Sequence, residues 1–182
     1  FTYGMVLAHF GCAITLIGMA ASSSFTVEKL AAARPGDKIE MAGWTVDFQK
    51  VMPIAGPNWT AMDGTFAVRY GDGATTILHP QSRFFFDPPT PTTESALLTR
   101  WGGQLYLVLG QQLDGGRWQL RVWWKPFVTL IWIGGVLIAL GGLLALLGRL
   151  LRERRQRQRE ARGQHEIQSE HEAQALTQEA PA

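Results

Sequence analysis

The sequence predicts a membrane protein in which two transmembrane helices flank a small all-β domain, an antiparallel barrel or sandwich of OB-like size. Three observations carry the prediction. Residues 1–25 and 127–148 are apolar and almost free of ionisable side chains; the residues between them alternate apolar with polar and are punctuated by Gly, Pro and Asp; and seven arginines, from Arg149 to Arg162, follow directly on the second apolar stretch. The whole-chain figures, a net charge of +2 and 46% hydrophobic residues, average over this division and conceal it.

The first stretch, 1–25, holds only Tyr3, His9 and Cys12 as ionisable side chains and is long enough to cross a hydrocarbon core about 30 Å thick. Its small-residue end, Ala20-Ala21-Ser22, imitates a signal peptide, but no basic segment precedes it. It reads as a membrane span belonging to a longer protein. The single cysteine excludes an intramolecular disulfide framework and a multi-thiolate metal site.

Residues 26–126 form the β-rich domain. Leu105, Leu107 and Leu109 alternate on one strand, Asp114-Gly115-Gly116 turns the chain, and Trp118, Leu120, Val122 and Trp124 alternate on the return. A second hairpin is expected over Thr65–Leu78 about the turn Gly71-Asp72-Gly73. A third unit, Lys38–Val51, changes phase at Gly43, which suggests a bulge or bend. Five to seven strands are expected in all, with the proline-rich run Asp87–Pro91 as a long loop between two halves, since proline is excluded from a central strand.

The second stretch, 127–148, contains no ionisable side chain, and the arginines after it place residues 149–182 in the cytoplasm by the positive-inside rule. The β-domain then lies on the opposite side, the periplasm of a bacterium, with the spans in its inner membrane. Anchoring against anionic lipid accounts for the arginine run, and a nucleic-acid partner is not expected. Residues after Arg162 are rich in Gln, Glu and Ala, either a helix continuing from the span or a disordered tail; His165 and His171 are too poorly phased to share a helix face and build a metal site.

Among side chains that could carry chemistry, His9 is the most informative, because an ionisable group within a span faces a bundle interior, a water cavity or a ligand. Two roles stay open: a hydrogen bond to a neighbouring helix, or axial ligation of haem iron. Cys12, one turn away, fits helix packing better than ligation. Gly4, Gly11 and Gly18, and in the second span Gly134, Gly141 and Gly148, repeat every seven residues, with Gly135, Ala139 and Gly142 as a neighbouring stripe; such faces let helices approach closely. Trp123 and Trp124 suit an interfacial aromatic belt, with a haem-stacking platform as the less expected role for the tryptophans. His79 shows no partner and is taken as a surface residue, and Glu94 has no second acid or nucleophile to work with. No nucleophile elbow, phosphate loop, zinc spacing or carboxylate pair is present in the sequence.

The ordered set Ala8-His9-Phe10-Gly11, Pro57-Asn58-Trp59-Thr60-Ala61, Thr93-Glu94-Ser95-Ala96, Leu105–Gly110 and Trp124-Lys125-Pro126-Phe127-Val128 running on to Gly135 resembles the C-terminal region of the CcmF cytochrome c maturation family. The resemblance implies a subunit of a haem lyase that attaches haem covalently to apocytochrome c in the periplasm. It also implies His9 as an axial ligand to a structural b-type haem, with haem itself as substrate and the haem chaperone CcmE and CcmH or CcmI as partners, besides lipid and the other transmembrane helices of the full-length protein. The family's tryptophan-rich haem-handling motif and the second haem ligand are missing from this sequence. This piece is therefore not expected to be active alone. The alternative from another class is a non-catalytic binding or scaffold module anchored in the membrane.

Overall fold

The computed structural model describes residues 2–178 and the side chains of residues 3–160. Two compact units divide it: the N-terminal half of helix α1 with α2 from Gly134 onward, and residues Ile14–Ile133. Helix α1 (Thr2–Phe25) and helix α2 (Val128–Gln178) each contain a segment long and apolar enough to cross a membrane. Residues 163–178 thus continue α2. The side chains of His165 and His171 lie outside the described ones.

Ten antiparallel strands fill the interval, more than the five to seven expected. The first sheet runs β1 (Val27–Ala33), β10 (Arg117–Pro126), β9 (Gly103–Leu113), β8 (Ala96–Arg100). The second runs β2 (Lys38–Met41), β3 (Trp44–Ala55), β4 (Trp59–Tyr70), β6 (Gln81–Phe86), β7 (Pro89–Glu94), with β5 (Thr76–Leu78) paired to the C-terminal part of β4. Their facing sides form one core. Leu105, Leu107, Leu109, Leu120 and Val122 come from the first sheet and Trp44, Val46, Phe48, Phe66 and Val68 from the second, all essentially buried.

The two-residue alternation read in the β9–β10 hairpin is the burial pattern observed, and the Thr65–Leu78 hairpin is also present. Two other readings change. Of the bulge or bend expected at Gly43 the structure has a bend, sharpened to a turn: Ala42 and Gly43 both take positive φ (48° and 81°), as a two-residue I′-type turn requires, and Met41 pairs with Trp44 across it. The apolar phase slips because both residues flanking such a turn face the same side. The bulge of this strand lies further on, at Gln49, where the register with β4 shifts between Phe48 and Lys50.

The proline-rich run is not a long loop. Asp87-Pro88 is a tight turn, and Pro89–Glu94 is β7, the outermost strand of the second sheet. Proline lacks the N–H that a second neighbour would need, and at a sheet edge there is no second neighbour. A further strand without a signal in the sequence is β1, whose Leu30-Ala31-Ala32-Ala33 has neither alternation nor high β-propensity and is strand because it pairs with β10 from Val27↔Trp124 to Ala33↔Trp118.

Replacing Leu107 with Asp strips an apolar side chain from the centre of the core and leaves an unpaired carboxylate in its place. A loss of about 3–5 kcal/mol is expected, read as a lowered unfolding midpoint and rapid proteolysis of the β-domain. The same change at Leu97, which is half exposed, should cost under about 1 kcal/mol.

Candidate functional site

In α1 the glycines that repeat at seven are buried and face α2. A Cβ on Gly11 would lie 2.7 Å from the carbonyl oxygen of Gly134 and 2.8 Å from the backbone N of Ile138; one on Gly4 would lie 2.7 Å from the backbone of both Gly141 and Ala145. The helix backbones therefore meet with no room for a side chain between them. The neighbouring stripe of Gly135 and Gly142 touches nothing within 4 Å.

His9 sits on the opposite face of α1, since five positions from Gly4 at about 100° per residue carry it roughly half a turn away. Its ring is exposed there beside Met5, Phe10 and Cys12. The ring nitrogen Nδ1 lies 2.8 Å from the carbonyl oxygen of Met5. A carbonyl only accepts, so Nδ1 carries the proton, and a neutral imidazole is left with its Nε2 lone pair directed away from its own backbone. This is the tautomer and orientation that a histidine ligand of a metal usually has, with the second nitrogen anchored to a fixed acceptor. Among the described residues no group of three or more His, Cys, Asp or Glu side chains converges as a metal site.

A second arrangement lies on the outer face of the second sheet. The Arg83 guanidinium stacks over the Trp59 ring at 4.4 Å, its Nη1 lies 3.3 Å from Glu94 Oε1, and its Nε donates to Gln81 Oε1 at 2.9 Å. Gln81 donates in turn to Asp63 Oδ1 at 2.8 Å, and His79 Nδ1 stands 3.1 Å from Asp63 Oδ2. His79 is therefore exposed but not unpartnered. Its partner is sixteen residues away in sequence, on another strand, which is why no local spacing reveals it. Glu94 acts as the counter-charge of Arg83 in this row. The registers Ala61↔Arg83 and Gln81↔Glu94 bring the row together.

The tryptophans sort differently from the expected belt. Trp124 packs on the core, 5.3 Å from the Trp44 ring, with Tyr70 beside both, so it is neither a belt residue nor an open stacking platform. Trp123 lies on the outer face under the Arg121 guanidinium at 5.2 Å. Trp101 (90% exposed) and Trp132 (69%) are the rings that stand free next to the first turns of α2. Thr129 Oγ1 donates to the Trp101 carbonyl at 2.8 Å, and the Phe127 N–H donates to the carbonyl of Gly102 at 3.0 Å, tying the β8–β9 turn to the start of the helix.

Comparison with known proteins identifies residues 24–126 with the family described as the CcmF C-terminal beta-sandwich. Curated relatives include the cytochrome c-type biogenesis protein CcmF of Escherichia coli, 36% identical over 139 residues that make up 76% of this chain and 22% of that protein. The CcmF of Pseudomonas aeruginosa is 37% identical over the same length, 21% of its own. Among solved structures, a cytochrome c haem lyase CcmF superposes with a TM-score of 0.64 at 22% identity, covering 77% of this chain and 23% of that one. The chain thus spans about a fifth of the length of the relatives it matches.

The two glycine stripes supply a contrast that can be measured. Gly11→Ala is expected to push the helices apart and lower thermal stability in detergent by about 1–3 kcal/mol, whereas Gly135→Ala meets open space and should be neutral or slightly stabilising. Equal effects at the two positions would place the helix contact elsewhere.

Proposed function

The chain belongs to the CcmF C-terminal β-sandwich family, and from that premise we propose that it serves as the C-terminal region of a haem lyase subunit, which attaches haem covalently to apocytochrome c. In this reading the two spans lie in the bacterial inner membrane, the β-domain stands in the periplasm and the arginine-bearing part of α2 is cytoplasmic. The partners are the haem chaperone CcmE, CcmH or CcmI, and apocytochrome c, together with lipid and the remaining helices of the full-length protein.

The observation that carries the reading at the level of residues is His9. Its Nδ1–H is held by the Met5 carbonyl, its Nε2 is free to coordinate, and it faces away from the α1–α2 contact. His9 would hold the iron of a b-type haem through Nε2. Haem so placed supplies an iron centre that exchanges one electron. The chain's own part is to fix the imidazole: the Met5 carbonyl sets its tautomer, and the glycine face on the other side of α1 sets the rotation of the helix that carries it. Glu94 and His79, held in the polar row with Arg83, supply no catalytic group in this reading; the β-domain contributes binding surface.

Two measurements test it. In the full-length protein, His9→Ala should convert a low-spin haem to a high-spin one or empty the site, and should reduce holocytochrome c formation at least tenfold. An unchanged low-spin spectrum with normal cytochrome maturation would assign His9 to packing alone. For orientation, alkaline phosphatase joined at the exposed β6–β7 turn near Pro88 should be active and the same enzyme joined after Arg162 inactive; the reverse pattern would overturn the periplasmic placement.

A further inference from the structure

Part of β9, an inner strand of the first sheet, is left unpaired along one side. β8 pairs with β9 only as far as Ala96↔Leu107, so residues 108–113 of β9 pair with β10 on one side and with no strand on the other, where β7 lies beside β9 without pairing to it and the groove opens between Pro91 and Gln111-Gln112. The chain enters β8 from β7 of the opposite sheet and does not extend further along β9. A bulge at Gly110-Gln111, opposite Gln119, turns this edge outward.

Beside the free edge, β3, β4 and β6 of the second sheet continue past the closed core. Pro53, Met62, Phe84 and Pro91 share one face and form an apolar floor, and Gln111, Gln112 and Trp118 form the facing wall, enclosing an open groove of 670 Å³. This is within the roughly 300–1,000 Å³ range of ligand-holding clefts. Phe84 and Phe86 stand 43% and 51% exposed on β6, an apolar cost that a covering partner would relieve.

The chemistry of the lining selects the occupant. Arg83 is the one charged residue at the groove, and its guanidinium is turned to the other face of the sheet, where Glu94, Gln81 and the Trp59 ring engage it. A tetrapyrrole with two carboxylates would find no uncommitted cation there. An extended polypeptide offers what the site matches: backbone N–H and C=O groups for the edge of β9, amides for the two glutamines, and alternate apolar side chains for the floor. Of the other edges, β7 carries Pro89 and Pro91, Lys29 of β1 is tied to the Glu40 carbonyl of β2 at 2.8 Å, and no residue of β8 lines the groove.

We propose that this groove binds an extended segment of a separate, unfolded polypeptide by strand addition to residues 108–113 of β9. The choice of partner rests on the proposed haem attachment, whose protein substrate must be presented unfolded.

The test uses the full-length membrane protein in detergent and a fluorescein-labelled synthetic peptide of fifteen or so residues (about 50 Å extended) that carries the Cys-x-x-Cys-His segment of an apocytochrome c with its thiols alkylated. Benzoylphenylalanine incorporated at Gln112 or at Phe84 should crosslink to the peptide on illumination, and the same probe at Tyr70, at the other end of the sandwich, should not. Phe84→Asp, a change at a half-exposed position, should weaken peptide binding about tenfold, and N-methylation of alternate peptide amides should weaken it comparably. Equal crosslinking from Tyr70, crosslinks from Gln112 into the protein's own chain, displacement of the peptide by haem alone, or affinity indifferent to N-methylation would each overturn strand addition at this groove. Haem attachment is scored separately. Its failure with the crosslinks intact would remove the haem lyase reading and leave the groove, and its persistence without crosslinks would remove the groove and leave that reading.

Discussion

The pairing of β1 with β10 is the constraint from which the rest follows. β1 begins one residue after Thr26 ends the first helix's exit, and β10 runs to Pro126, just before the second helix starts. Their antiparallel register, Val27↔Trp124 through Ala33↔Trp118, brings the ends of both helices side by side, with the Phe25 and Phe127 rings 6.1 Å apart edge to face. The strand pair is also the edge and inner member of one sheet, so the same hydrogen bonds that join the helix ends close the core over Leu120 and Val122. Neither helix end nor sheet is an independent choice.

Within the helices a different force takes over. Lipid removes the hydrophobic drive between apolar helices, and close contact has to come from dispersion and shape. Gly4 and Gly11 against Gly141 and Gly134 supply it by omitting side chains at the contact. The face left over is long, apolar and exposed, with Leu16, Ile17, Phe10 and Val6 about 60% accessible on α1. His9 is on that face.

In the β-domain two residues of the segments that resemble the family are joined through a third. Trp59 and Glu94 stand on different strands, and Arg83 links them by stacking on the first and pairing with the second. The Arg83 guanidinium is about one quarter exposed and Glu94 half exposed, so the ion pair itself contributes little, on the order of 0–1 kcal/mol. Its larger role is geometric. It links β4, β6 and β7 across the outer face, and the opposite face of the same strands is the floor of the groove.

The sequence by itself determined the elements whose signal is local. Twenty apolar residues can only cross a membrane or fill a core, and the alternation of Leu105, Leu107 and Leu109 with Trp118, Leu120 and Val122 specifies which face is inside. His9 was legible for the same reason, being polar where its surroundings are not. What tertiary structure decided is everything that depends on which edge meets which. The alanines of β1 become strand because β10 offers them a partner, and the prolines of β7 become strand because nothing lies beyond them. His79 acquires Asp63, and Trp59 acquires Arg83, across registers set by bulges and turns rather than by spacing. A side chain's direction follows from its own strand, with a period of two; its neighbour follows from the pairing of strands far apart in the chain, and no local pattern encodes that.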